Sequence, residues 1–222
     1  EWAYKWKMEF NPDPNKPAQE IIFSRKIYKE NHPEILFNNN SINEESSLKH
    51  LCLILDEKLD FKTHIQAKIS KAMTGVGLIN KLRSILPRSS LLTIYNSFVR
   101  PHLDYGEIIY DQPNNQTLSD KIESVQYNAA LAIIGAIRGS SKFKLYQELG
   151  FEFLSKRRWM RRLCYLYKII SHRESLYLYS CLPQYLISER YPKCFKLIRC
   201  RTMLFESSFL PYSIKQWNIL NS

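Results

Sequence analysis

Residues 48–86 read LKHLCLILDEKLDFKTHIQAKISKAMTGVGLINKLRSIL, and the hydrophobic period changes inside this stretch at Asp60. Before it, Leu48–Leu55 is an apolar run of strand length that closes on Asp56. After it, Ile65, Ile69, Ala72, Val76, Ile79 and Leu86 recur every three or four residues, the spacing of one helix face. Lys62, Lys68, Lys71 and Lys81 mostly avoid that stripe, and Asp60 stands where an N-cap is wanted. Gly75 and Gly77 weaken the middle of the helix by roughly 1 kcal/mol each relative to Ala, and Pro87 ends it. A β part therefore gives way to an α part near residue 60, and the fold class expected is α+β: a short antiparallel hairpin or sheet followed by a mainly helical bundle.

Working upstream, Ile21, Ile22 and Phe23 begin a strand running towards Tyr28, and Glu34–Phe37 supports another. Asn38, Asn39 and Asn40 supply turn chemistry, so that Ile42 can start a return strand. The breaker cluster Asn11-Pro12-Asp13-Pro14-Asn15 separates these from Trp2, Trp6 and Phe10, which are spaced like one face of a helix. Downstream, Ser89 or Ser90 can cap a helix bearing Leu91, Leu92, Tyr95, Phe98 and Val99, which Pro101 closes. Thr117 or Ser119 can cap the next, with Leu118, Ile122, Val125, Ala129 and Ile133 on one face and Gly139 as its stop. Another starts near Ser155 and sets Trp159, Leu163, Leu166 and Ile170 beside Lys156, Arg157, Arg158, Arg161 and Arg162. Beyond Ser171 the pattern is less regular, broken by Pro183, Pro192 and Pro211, with Phe205, Phe209, Tyr212 and Trp217 expected to pack on a core.

Composition narrows the class. The 222 residues are 45% hydrophobic and 13% aromatic, too apolar for a disordered chain, and no uncharged apolar run is long enough to span a bilayer. The net charge is +11, unevenly spread: residues 1–60 carry −3, residues 61–110 carry +5, residues 111–150 balance, and residues 151–222 carry +9. Such a field favours a polyanion without reading its sequence, although it also serves simply to solubilise. Cys52, Cys164, Cys181, Cys194 and Cys200 show no C-x-x-C and no zinc spacing, so buried, reduced thiols and no metal site are expected. The start at Glu1 without Met reads as a piece of a longer, soluble, intracellular protein.

Catalytic patterns are scarce. Phosphate-loop, dinucleotide, nucleophile-elbow and zinc-protease motifs are absent, and His32, His50, His64, His102 and His172 lack nucleophile neighbours in sequence. Asp56, Glu57 and Asp60 form a compact acidic group that helix capping and a solvated turn explain more simply than two-metal chemistry. No Asp-Asp pair occurs anywhere.

The order of the remaining features carries more information than any one of them. Trp6–Asn11 runs into Asn15-Lys16 and the strand Ile21–Lys26; Leu48–Asp56 and Leu59–Ile65 follow; then come Tyr95–Pro101 (YNSFVRP), His102–Gly106, Val125-Gln126, Ser208–Ile214 and Trp217-Asn218. This succession resembles the C-terminal part of reverse transcriptases from non-LTR, LINE-type retrotransposons of the jockey kind, over nearly the whole chain.

The resemblance implies residues 1–60 as the end of a polymerase palm with its primer-grip strands, 61–172 as a helical thumb and 173–222 as an irregular or helical extension. It implies Lys16 as a nucleotide-site lysine, with a solvated loop lysine the plain alternative. It implies a primer grip at His50, Leu51, Cys52 and Leu53; relatives usually carry Gly where Cys52 stands. Lys68, Lys71, Arg157, Arg158, Arg161 and Arg162 would then track the backbones of a template–primer hybrid, or else form a solvated face. The implied partners are an RNA template, an RNA–DNA hybrid and the palm and fingers of a parent chain in a nuclear and cytoplasmic ribonucleoprotein, with no membrane. Mg²⁺ belongs to the parent's catalytic aspartates, which lie outside these residues, so the fragment alone is expected to be inactive. Two other readings stay open: a non-catalytic helical nucleic-acid-binding module, and a protein-interaction bundle.

Overall fold

The computed structural model describes residues 5–7, 18–26, 33–37, 40–171, 175–184 and 194–221. The expectations for Trp2, Phe10, the breaker cluster, Lys16, Tyr28, His32, Asn38, Asn39, His172 and Pro192 fall outside them. The architecture is α+β, as the change of period at Asp60 requires. The chain divides into two compact units, Glu1–His64 and Ile65–Ser222.

In the first unit, strands β1 (Gln19–Glu20) and β4 (Asn43–Glu44) pair in parallel, while β2 (Leu36–Phe37) and β3 (Asn40–Ser41) pair antiparallel. The expected strand at Ile21–Phe23 lies in irregular backbone, and the one pair it adjoins is parallel rather than antiparallel. Leu48–Leu55 is likewise not a single strand. It is a hairpin of β5 (Ser47–His50) and β6 (Leu53–Asp56), with Leu48 opposite Leu55 and His50 opposite Leu53. Leu51 and Cys52 make the two-residue turn with φ of 45° and 65°. Positive φ at both centres matches the strand twist, although neither residue is the usual Asn or Gly.

The turn after β6 is held by one side chain. The Asp56 carboxylate accepts from the N–H groups of Lys58 (3.1 Å), Asp60 (3.0 Å) and Phe61 (2.8 Å), across backbone in which Leu59 and Phe61 have positive φ. Asp60 Oδ1 in turn accepts from Lys62 N at 3.1 Å, opening helix α1 (Lys62–Leu82). Burial works against the Asp60 carboxylate, but the Lys62 N–H and ammonium hold its pKa below the ordinary value. Asp56 and Asp60 are thus a turn-and-cap device, Asp56 spending both oxygens on backbone N–H groups and Asp60 one on backbone and the other on the Lys62 ammonium.

The second unit is helical. The α1 stripe buries Ile65, Ala72, Val76 and Ile79. Helix α2 (Arg88–Ile94) does not stop at Pro101; it widens into a π segment (Tyr95–Val99) and continues as α3 (Arg100–Asp104). The Arg100 N–H reaches back five residues to the Tyr95 carbonyl. That one-residue expansion places Pro101 in the first turn of α3, where its missing N–H is not needed. After α4 (Glu107–Tyr110), α5 (Gln116–Ile134) is capped by Asn115, whose side chain accepts from Leu118 N, rather than by Thr117 or Ser119. It ends at Gly135 (φ 77°), four residues before the expected stop at Gly139.

Helix α6 (Lys142–Leu149) packs Leu145 and Tyr146 on Ala130 and Leu131 of α5. Helix α7 (Leu154–Ile170) is the one expected from Ser155. The tail folds back on it through α8 (Leu176–Ser180), α9 (Met203–Ser207) and α10 (Phe209–Asn221), where Leu166, Phe195 and Ile214 form a buried cluster. Pro211 does not break this tail, because it falls in the first turn of α10. The Asn218 amide clamps the Phe195 backbone, accepting from its N–H (2.9 Å) and donating to its carbonyl (2.7 Å). Of the cysteines, Cys194 is buried as expected, whereas Cys52, Cys164 and Cys181 are exposed.

Candidate nucleic-acid interface

Helix α7 has five basic side chains within its first nine residues, and geometry separates them into outer and inner groups. Arg158 and Arg162 are 2% and 1% exposed. Arg158 Nε and Arg162 Nε lie 3.1 and 3.4 Å from the two oxygens of Asp111. Arg162 also donates to the Asp111 carbonyl (2.6 Å) and the Ser207 carbonyl (3.3 Å), and its guanidinium stands over the Tyr212 ring. Burial pulls the Arg162 pKa down against the pull of Asp111.

Asp104 organises the second set. It pairs with Arg157, with Arg161 at 2.9 Å and with Arg100 at 3.2 Å. Arg161 bridges on to buried Glu107 at 2.8 Å. Burial raises the Glu107 pKa in spite of Arg161, which stabilises the ionised form. Arg157 also donates to Gln126 Oε1 (3.3 Å), the acceptor of the buried Tyr95 hydroxyl (2.7 Å). Burial pushes that phenol up to about 12.

Two of the six cations expected to meet phosphate are therefore interior. Arg158 and Arg162 tie α7 to Asp111 and to the tail, because positions 158 and 162 fall on the buried face with Leu154 and Leu166. Arg157 is mostly covered, with 14% of its side chain exposed, and Arg161 keeps 40%. The signal that could have separated them is acidic: Asp104, Glu107 and Asp111 are the only carboxylates between residues 61 and 119, and four arginines in two adjacent pairs need such partners once a helix is buried.

The other expected cations, Lys68 and Lys71, lie on α1, one turn apart. Lys68 stands 4.7 Å over the Tyr105 ring, and Lys71 is exposed. Burial, together with Lys68 and Lys71, lowers the pKa of His102 on α3. His102 and Tyr105 thus join the two lysines in a basic cluster that sequence pattern alone did not assemble. In the first unit, the tip of the β5–β6 hairpin exposes His50, Leu51 and Cys52 while Leu53 is buried. Neither patch has the chemistry to hold Mg²⁺. Among the described residues, no three His, Cys, Asp or Glu side chains converge for a metal, and the Asp56 oxygens are committed to amides. No described helix is long and apolar enough to cross a membrane.

Comparison with known proteins supplies the context. Over 142 residues, 61% of this chain, it is 25% identical to a probable RNA-directed DNA polymerase from transposon X-element of Drosophila melanogaster. Over 139 residues, again 61% of the chain, it is 27% identical to the RNA-directed DNA polymerase from mobile element jockey of Drosophila funebris. The chain is similar to RNA-directed DNA polymerases of mobile elements. It spans about 14% of the length of either relative. No family model and no solved structure matches it.

Proposed function

We propose that this chain is the template–primer-holding C-terminal part of a non-LTR retrotransposon reverse transcriptase. In this reading the β5–β6 hairpin is the primer grip and the helices from α1 onward are the thumb. The observation that carries it is the Lys68–Lys71–His102–Tyr105 cluster within a chain similar to RNA-directed DNA polymerases. Two ammonium groups one turn apart, an imidazole and an exposed aromatic ring suit a sugar–phosphate backbone and specify no base. Arg161 adds a partly exposed edge, whereas Arg158 and Arg162 hold the scaffold. Catalytic aspartates and their Mg²⁺ come from other parts of the parent protein, Lys16 being this chain's contribution near the nucleotide. The parent works in nuclear and cytoplasmic ribonucleoproteins.

The test is binding of an RNA–DNA hybrid across a salt series, with primer extension measured alongside. Log affinity should fall linearly with log salt, and Lys68→Ala and Lys71→Ala should each lower the slope by about 1. The purified chain should not extend the primer in Mg²⁺ and nucleotides. A flat salt response, or indifference to both substitutions, would overturn the interface; extension of the primer would overturn the division of labour.

A further inference from the structure

The π segment and α3 meet α1 in antiparallel order. Lys68 Nζ stands 4.7 Å over the Tyr105 ring. Burial, then Lys68 and Lys71, lower the pKa of His102, and a Cβ on Gly75 would meet the Phe98 carbonyl oxygen at 2.9 Å. Positions 98, 102 and 105 are spaced by four and three, so they share one helix face beside the Lys68–Lys71–Gly75 row. Phe98 is 56% exposed and Tyr105 50%, one at either end of this face with His102 between them.

A sugar–phosphate backbone accounts for the ammonium groups and the imidazole but not for Phe98, whose ring has no hydrogen-bonding atom to offer a phosphate or a sugar. A flat apolar ring beside cations suits the face of a nucleobase. In a duplex those faces are already stacked on their neighbours, whereas an unpaired strand leaves them open to an aromatic side chain. Seven residues of helix advance about 10 Å, the length of about three stacked nucleotides, so the two rings bracket a short run of bases. Lys68 against Tyr105 and the exposed Lys71 supply cations alongside the rings for the phosphates of such a run.

We propose that this face takes an unpaired stretch of strand continuous with the hybrid, its bases stacked on Phe98 and Tyr105 and its phosphates on Lys68 and Lys71. The inference rests on the reading of the lysine cluster as a nucleic-acid interface. The full chain is titrated, across a salt series, with a blunt RNA–DNA hybrid and with the same hybrid bearing an overhang of about six unpaired nucleotides. The variants are Phe98→Leu, which keeps apolar bulk without a flat ring, Phe98→Trp, which keeps the ring, and Tyr105→Leu. The readout is the ratio of the two affinities, which a loss of folded protein does not change.

The overhang should bind at least about fivefold tighter than the blunt hybrid. Phe98→Leu and Tyr105→Leu should each remove most of that preference, and Phe98→Trp should keep it. The salt slope should not change in the ring variants, because no cation is lost. Equal affinity of the unsubstituted chain for the two hybrids would overturn the proposal, as would a preference that survives both leucine variants or disappears in Phe98→Trp. Salt-dependent binding that weakens with Lys68→Ala and Lys71→Ala but ignores the rings defeats this inference alone. A flat salt response, or indifference to both lysine substitutions, defeats the underlying interface as well.

Discussion

Asp111 holds two buried guanidiniums with one carboxylate whose own side chain is 10% exposed. Forming such a cluster gains little net stability, but removing its acid strands two charges in a poorly solvated interior. Asp111→Ala should therefore destabilise the chain by about 3–5 kcal/mol, read as a lower urea midpoint with an unchanged slope. Replacing an exposed acid such as Asp120 should cost far less. His102 gives the residue scale a proton readout. Its folded pKa is depressed by burial and then by Lys68 and Lys71, so in the free chain the stability tied to its neutral form is full above its ordinary pKa and is lost as the pH falls from there through the lower folded pKa. A phosphate set beside it reverses the bias and raises the pKa. Hybrid binding should then take up a proton and tighten as the pH falls from neutrality towards 5.5, and His102→Gln should flatten the profile.

At the scale of elements, two glycines in one helix separate propensity from packing. A Cβ on Gly75 would meet Val99 Cγ2 at 2.8 Å and the Phe98 carbonyl oxygen at 2.9 Å, whereas one on Gly77 would meet nothing. Gly77→Ala should stabilise α1 by about 1 kcal/mol through propensity alone. Gly75→Ala should destabilise the protein in spite of the same gain, because α1 and the π segment would have to part; thermal melts of the two variants should move in opposite directions. The sequence treats these glycines alike, since local pattern records helix cost and not which neighbour comes close. The same limit explains the other differences. The stripe Ile65–Ala72–Val76–Ile79 was legible because a buried face repeats in sequence. The continuation through Pro101 was not, because it depends on a one-residue π expansion at Tyr95–Val99. The split of Leu48–Leu55 into a hairpin was hidden as well: Leu51 and Cys52 occupy positive φ without Asn or Gly to announce a turn. In the candidate interface, charge pattern found the arginines of α7 but could not show that two of them face inward, which depends on long-range partners at Asp104, Glu107 and Asp111.

For the whole molecule, the uneven charge sets the behaviour expected of its parts. Residues 1–60 carry −3, while the stretches 61–110 and 151–222 carry +5 and +9. Part of the later charge is neutralised internally, because Asp104, Glu107 and Asp111 absorb much of the field of Arg100 and the α7 arginines. The field left for a polyanion therefore comes chiefly from exposed lysines and from the partly open Arg161. The ion-pair cluster and both helical core clusters lie entirely within Ile65–Ser222, which is a compact unit by itself. A chain of residues 60–222 keeps Asp60 to cap α1 but loses the Asp56 hydrogen bonds to Asp60 N and Phe61 N. It should unfold in a single cooperative urea transition reported by Trp159 and Trp217, with amide exchange faster only in the first turn of α1. Its hybrid salt slope should stay close to that of the full chain, because Lys68, Lys71 and Arg161, the cations assigned to the phosphates, all remain, while the affinity itself falls with the loss of the hairpin. Loss of the cooperative transition would show that the helical unit needs the strands to fold, and a collapsed slope with folding intact would move the charged phosphate contacts from α1 and α7 into the hairpin unit.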